Sequence, residues 1–335
     1  MQLLFGGNWL HRFEGRLRLW ATKPLSVWLL TPLRTLAWGG VHLHRHLRPQ
    51  PPAPLPVPII SIGNLVLGGT GKTPLTQWLC ERLKAIGERP AILSPLPKDA
   101  DEVQEHHLFA PVYSGRDRVA SALQALADGA TVLVLDDGFQ YRRLYRDVDI
   151  VLWDATNWLH PANPFLREPL TALRRATAIV LSRLDAVTRK VAENLRDELN
   201  RWSGTEKVVA AFSYEPLPVA MKEAPKQVIA VTSVANPLYF VHTAKKAGFE
   251  VLTLICFPDH YPFTLSDAAW VIQQAKRVGA QAVLVTKKDA VKWRDVWQSK
   301  LPLVTLTIQL HWWWGEERLW EIVASRLPRK GGALA

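Results

Sequence analysis

Residues 57–74 read Val-Pro-Ile-Ile-Ser-Ile-Gly-Asn-Leu-Val-Leu-Gly-Gly-Thr-Gly-Lys-Thr-Pro. The apolar, β-branched run Val57–Ile62 predicts a buried strand. The glycine-rich end, Gly68-Gly69-Thr70-Gly71-Lys72-Thr73, then leads into a helical pattern with Pro74 in its first turn, where a missing N–H costs nothing. Strand, glycine loop and helix amino terminus in that order make a phosphate cradle. Small residues let backbone N–H groups turn inward, and the helix end adds positive potential. The expected nucleotide contacts run through Val66, Leu67, Gly68, Gly69, Thr70, Gly71, Lys72 and Thr73. Lys72 reaches the outer phosphates and the Thr73 hydroxyl holds Mg²⁺. A strict phosphate-loop pattern has Gly where Val66 stands, so this is a variant. The competing reading is a glycine-rich turn with a coincidental lysine.

Working outward, short apolar runs alternate with helical patterns. The runs are Pro90–Leu93, Thr131–Leu135, Ile150–Trp153, Ala178–Leu181, Val208–Phe212, Val228–Val231, Val251–Phe257, Ala282–Val285 and Leu303–Ile308. The helical patterns include Pro74–Ile86, Val119–Ala127, Val187–Trp202, Pro237–Ala247, Ser266–Val278 and Glu316–Arg326, several followed by a stop glycine. Such alternation predicts mostly parallel sheets covered by helices on both faces. The expected fold is α/β: a P-loop NTPase-like, three-layer α/β/α nucleotide domain over residues 49–215, then a smaller α/β domain over 216–335 that closes on the site. The joint is placed near Glu215–Pro218. Asp136 and Asp137 end the run Thr131–Leu135, where a carboxylate beside a phosphate loop holds the nucleotide's Mg²⁺. The alternative is a turn or helix-cap pair before Gly138.

Composition narrows the functional classes. The chain has 335 residues, 48% of them hydrophobic and 21% charged, which excludes global disorder. Forty-one Lys and Arg against 30 Asp and Glu give a net charge of +11, favouring an anionic partner. Two distant cysteines, Cys80 and Cys256, exclude a disulfide scaffold and a thiolate zinc site. No helix-turn-helix, zinc or aromatic-sheet signature supports nucleic acid as the partner.

Residues 1–48 differ from the rest. Seven basic residues face one acid, Glu14, a net +6, and Trp9, Trp20, Trp28 and Trp38 are interspersed among them. The best apolar stretch, Pro24 to Val41, carries Arg34 and two prolines, unlike a spanning helix. The segment is expected to be amphipathic, helical and docked on an anionic membrane surface, where each basic side chain contributes about 1 kcal/mol. Packing on the chain's own body is the other reading. Pro49–Pro58 forms a stiff connector.

With these residues in view, the sequence resembles the tetraacyldisaccharide 4′-kinase (lipid A 4′-kinase) family. The segments that carry the resemblance are Val57–Pro74, Asp136–Gln140 followed by Arg146-Asp147, and Phe165–Leu173. Asn236-Pro237 with Phe240, Phe257–Phe263 and Thr286–Lys292 extend it. The resemblance implies transfer of the γ-phosphate of ATP, with Mg²⁺, to the 4′-hydroxyl of a tetraacyl disaccharide 1-phosphate. It also implies peripheral association with the cytoplasmic face of a bacterial inner membrane. The implied catalytic residues are Lys72, Asp137, His260 beside Asp259, and Glu105. Thr73, Asp136 and Asp137 are implied at the metal, and Asn64, Gln140, Arg142, Arg143, Arg167 and Lys288 at the acceptor.

The chain also departs from the family pattern. Pro95-Leu96-Pro97-Lys98 replaces an Arg-Gly-Tyr-Gly stretch, with a shorter loop. The family's Gly-Asp-Glu falls near Val103-Gln104-Glu105-His106, leaving Glu105 as the available carboxylate in place of an Asp that partners the His. Tyr141 stands for a His, Lys287 for a Glu and Asn163 for a Gly. Arg142, Arg143 and Arg146 either bind the acceptor's existing phosphate or solvate a loop, and Lys288 with Asp289 either meet ligand or form a structural pair. Two other functions remain open at this level: a phosphate-loop kinase of another membrane glycolipid, and a nucleotide-binding relative without transfer activity.

Overall fold

The computed structural model describes residues 1–5, 54–95, 101–163, 165–218, 225–258 and 261–328. The chain divides into two compact units, one comprising 32–213 with 312–335 and the other 1–31 with 214–311. Among the described residues the strands form one sheet of eight and one of five.

The chain opens with strand β1 (Gln2–Phe5), which pairs in parallel with β10 (Glu250–Cys256) of the five-stranded sheet. A helix was expected here. Leu4 and Phe5 instead join the hydrophobic clusters on opposite faces of that sheet, as a two-residue period requires. The remainder of the expected docking segment, residues 6–48, lies outside the described residues. The expected division at 215/216 is also corrected at the carboxyl end. Residues 312–335 return to the first unit, and β13 (Ile308–Trp314) is an edge strand of the eight-stranded sheet.

The first unit is built on β2 (Ile59–Asn64), flanked in parallel by β5 (Val132–Asp136) and β6 (Val148–Asp154). Outward lie β3 (Pro90–Ser94) and β4 (Val112–Ser114) on one side, and β7 (Ala178–Ser182) and β8 (Val208–Pro216) on the other, all parallel. The sheet order is β13-β8-β7-β6-β2-β5-β3-β4. Helix α1 (Lys72–Ala85) follows β2, α2 (Asp101–His107) follows β3 and α3 (Arg118–Ala127) follows β4. Asp117 caps α3 by accepting from Val119 N. Ala122 and Ala125 of α3 pack on Ile59, Leu93, Leu133 and Leu135, and Leu195 and Leu199 of α4 (Arg189–Ser203) pack on Val151, Ile179 and Leu181. The ends of β2 and β5, which carry the phosphate loop and the aspartates, therefore sit side by side in the middle of the sheet, on strands buried along their whole length. That is where ligands bind in open parallel sheets.

The second unit is a parallel sheet of order β1-β10-β9-β11-β12, with β9 (Gln227–Thr232), β11 (Ala282–Thr286) and β12 (Leu303–Leu306). Alternate residues face opposite layers. Val228, Ala230, Leu254 and Leu284 meet α5 (Pro237–Lys246), whereas Ile229, Val231, Ile255 and Val283 meet α6 (Leu265–Val278) and Trp293 of α7 (Lys287–Trp293). The single strand expected over Leu303–Ile308 is thus two, β12 and β13, in different sheets. After β13, Gly315 leads into α8 (Glu316–Ala324).

Candidate active site

The phosphate loop turns from β2 into α1 through Gly71, whose φ of 93° is left-handed and therefore suits glycine. Lys72 is the first helical residue. Its ammonium lies 3.5 Å from Oδ1 of Asp137, and Arg167 donates to the same oxygen at 2.7 Å. Asp137 follows β5 directly, with φ of 48°, an uncommon conformation for a non-glycine residue. Burial pushes its carboxyl up, but Lys72, Arg167 and Arg118 outweigh that and hold it below the usual carboxylate value. One anion is therefore gripped by two cations at the mouth of the loop.

The turn is fixed by close approach. A Cβ on Gly138 would sit 2.5 Å from Ser61 Oγ, and one on Gly63 would sit 2.6 Å from Phe139 Cβ. Only glycine lets the Asp136-Asp137-Gly138-Phe139 turn lie against the end of β2. Arg118, buried on α3, braces the turn by donating to the carbonyls of Asp136 (3.0 Å) and Asp137 (3.2 Å).

The two aspartates face different partners. Asp137 shares the space of Lys72. Asp136 is buried, and its Oδ2 lies 3.3 Å from Nε2 of His106, which is also buried. His106 carried no expectation from sequence. The only hint was its place beside Glu105, the position read as a substitute base. Glu105 sits half-buried on the same short helix.

Some expected contacts are corrected. The Leu67 N–H donates to the Phe165 carbonyl at 2.8 Å, and Val66 bridges Leu166, so these residues pin the loop's flank to the Phe165–Arg167 strand-like segment. The Leu67 amide, already spent this way, does not cradle phosphate. Asn64, expected at the acceptor, is buried behind the loop. Its Nδ2 donates to Gly68 O and Thr70 Oγ1, each at 3.1 Å, and its Oδ1 accepts from Arg167 at 3.1 Å. Gln140 donates to the Asn64 carbonyl at 3.0 Å.

The arginines are also accounted for. Arg142 lies 3.3 Å from Glu168, a buried carboxylate that also accepts from Arg175 at 2.8 Å. Arg143 pairs with Asp117 at 3.4 Å, the cap of α3. Half-exposed, both retain access to water. Lys288 and Asp289 belong to the second unit. Asp289 is fully buried and accepts from Thr232 (2.9 Å), Thr286 (2.8 Å) and both the N–H and the hydroxyl of Ser233. It fastens α7 to the sheet, so of the two open readings for this pair the structure favours the structural one for Asp289. His260 and Asp259 lie outside the described residues.

The donors suit Mg²⁺. They are hard oxygens, the Thr73 hydroxyl and the Asp137 carboxylate, and among the described residues no cluster of three or more His, Cys, Asp or Glu competes for a metal. Magnesium characteristically takes one or two protein oxygens and completes its shell with phosphates and water. Among the described residues no helix is long and apolar enough to cross a membrane.

A family profile described as tetraacyldisaccharide-1-P 4′-kinase matches residues 26–95 and 103–328. A tetraacyldisaccharide 4′-kinase of Herminiimonas arsenicoxydans is 32% identical over 317 residues, covering 83% of this chain and 85% of that protein. One from Anaeromyxobacter sp. (strain K) is 36% identical over 272 residues, covering 70% and 72%. Among solved structures, the "apo" form of LpxK from Aquifex aeolicus in complex with ATP superposes with a TM-score of 0.61 at 26% identity, covering 90% of this chain and 99% of that one.

Proposed function

We propose that this chain, which belongs to the tetraacyldisaccharide-1-P 4′-kinase family, transfers the γ-phosphate of ATP to the 4′-hydroxyl of a tetraacyl disaccharide 1-phosphate, the lipid A precursor. The observation that carries the reading is the convergence of Lys72, Arg167 and Asp137 at the end of a glycine loop opening α1. Phosphoryl transfer needs positioning and charge neutralisation more than covalent chemistry. Lys72 exchanges Asp137 for the phosphate oxygens when ATP enters, and Arg167 stays beside both. Thr73 and Asp137 would hold Mg²⁺, which would add to the neutralisation of the phosphates. The 4′-oxygen bonds to the γ-phosphorus, the bond to the β–γ bridging oxygen breaks, and ADP leaves. The hydroxyl proton passes to a base, for which His260 with Glu105 is the reading carried from the sequence. Arg142 and Arg143 are suited to the acceptor's 1-phosphate, since both are exposed and paired with carboxylates an anion would compete against. Residues 6–48 would dock the enzyme on the cytoplasmic face of the inner membrane, where acyl chains stay in the bilayer and ATP arrives from water.

The test is acceptor specificity. In detergent micelles with Mg²⁺, mass spectrometry should find one added phosphate on a tetraacyl disaccharide 1-phosphate and none on its 4′-deoxy analogue. Phosphate on both, or on neither while another glycolipid is phosphorylated, refutes the assignment of the acceptor.

A further inference from the structure

Three successive carbonyls of the phosphate loop are each held from behind by a side chain. Gly68 O accepts from Asn64 at 3.1 Å, Gly69 O from Arg183 Nη2 at 2.7 Å, and Thr70 O from Ser182 Oγ at 2.8 Å. In a trans peptide the carbonyl of one residue and the N–H of the next point in opposite directions. Anchoring these carbonyls on the scaffold side therefore turns the N–H groups of Gly69, Thr70 and Gly71 toward the opposite, open side. This is the arrangement an anion-binding loop needs.

Arg183 is the unusual member. It follows β7 with φ of 58°, left-handed in a non-glycine residue, and is 8% exposed. Its other guanidinium nitrogen, Nη1, pairs with Asp154 at the end of β6. Asp154, also buried, is fixed in turn by accepting from the N–H and hydroxyl of Thr156 at 2.9 and 2.7 Å. A buried cation in a strained backbone conformation persists only where the surroundings over-determine it. Here one arm of the fork satisfies Asp154 and the other reaches the loop, a division of labour that a lysine cannot reproduce.

We infer that Arg183, anchored by Asp154 and assisted by Ser182, is a positioning residue that presets the phosphate loop for the triphosphate of the nucleotide. The inference rests on the nucleotide reading of the loop and is independent of the acceptor. Arg183 acts through the loop, so its loss should appear in nucleotide affinity and leave acceptor affinity in place.

The experiment measures binding of a fluorescent ATP analogue with Mg²⁺ to the full chain, with the parent beside Arg183→Lys, Arg183→Gln and Ser182→Ala, and thermal melting for each. Losing a hydrogen bond from a charged donor corresponds to about a 10- to 100-fold weaker dissociation constant. Arg183→Gln should show that loss in full and Arg183→Lys a smaller one, because it keeps a positive charge. Ser182→Ala, which removes a neutral bond and leaves the buried pair intact, should weaken binding by about 2- to 10-fold. In turnover assays, KM for ATP should rise with KM for the acceptor unchanged. Parent affinity in Arg183→Gln and Ser182→Ala, with only a lowered melting temperature, overturns the inference and leaves Arg183 a structural residue. Because the binding assay contains no acceptor, a wrong acceptor shows separately, as a parent protein that binds nucleotide but transfers nothing to the disaccharide.

Discussion

Replacing Asp137 by Asn keeps the shape of the side chain and removes the charge that Lys72 and Arg167 share. The parent carboxylate takes an arginine bond at 2.7 Å and a lysine at 3.5 Å, with a side chain 23% exposed. Loss of a charge-assisted bond at a partly buried site costs about 1.5–3 kcal/mol, and solvent reaching the pair places the expected value at the lower end. The direction of the pH dependence follows from the lowered pKa. A depressed carboxyl contributes stability that is fully present above its unfolded value near 4 and is lost as pH falls through the lower folded value. Parent and Asp137→Asn should therefore differ most at neutral pH, and the gap should narrow as pH falls through the lowered folded value. Urea unfolding of both proteins between pH 3 and pH 8 reads this directly. In phosphate transfer the same variant loses a magnesium donor, and kcat should fall by about 10²–10³. Equal urea midpoints at pH 7, or a gap that persists unchanged to pH 3, would refute the claim that Asp137 is charged and gripped by the two cations.

Three further outcomes are expected. Gly138→Ala should destabilise the first unit by about 1–3 kcal/mol, because its Cβ would meet Ser61 Oγ at 2.5 Å and the Leu135 side chain at 2.7 Å, and a melting curve equal to the parent's contradicts that. Glu105→Gln and His260→Ala should each lower turnover by about 10²–10⁴ with ATP affinity retained, and unchanged turnover in either removes that residue from proton transfer. Asp289→Ala strands Thr232, Ser233 and Thr286, so it should lower the melting temperature of the chain while a refolded sample keeps its affinity for ATP; lost ATP affinity at an unchanged melting temperature would reverse that assignment.

The central strands and the phosphate loop were legible because their signals are local. A β-branched run, glycines and a lysine at fixed spacing need no knowledge of the rest of the chain, and nearly every long helix ended at a readable cap. Thr286 and Asp289 carry such a signal too. Their spacing is that of a helix cap, but with ligand contact and a structural pair as the two open readings of Lys288 and Asp289, α7 carries no expectation from sequence. Elements α2 and β4 were missed for a different reason. Seven residues of Asp-Glu-Val-Gln-Glu-His-His carry no apolar period, and β4 is three residues long. The run Trp312–Trp314 carries no expectation from sequence. In the structure Trp312 packs against Trp78 and Phe212, and Trp313 donates to Ser213 from an edge strand while staying half-exposed. The strand Gln2–Phe5 belongs to a sheet whose other members lie more than 200 residues away, a pairing that no local pattern announces.

The site divides in the same way. Lys72, Asp137 and Arg167 are at one place, as residue type and motif suggested. The residues behind them were invisible. His106 meets Asp136 only because α2 crosses near the end of β5, and Arg183 reaches Gly69 only because β7 lies two strands from β2 in the sheet. Leu67 and Asn64 read as outward-facing in the sequence because no local pattern shows that their polar groups are committed within the protein.

The measurement that bears most directly on the account is transfer of labelled phosphate from ATP to a tetraacyl disaccharide 1-phosphate in micelles with Mg²⁺, with parent and Lys72→Ala side by side. The parent should transfer phosphate and the variant should lose at least about 10²-fold, as expected when the cation facing the transferred group is removed. Transfer of equal rate by Lys72→Ala, or none by a parent that binds ATP, would contradict it.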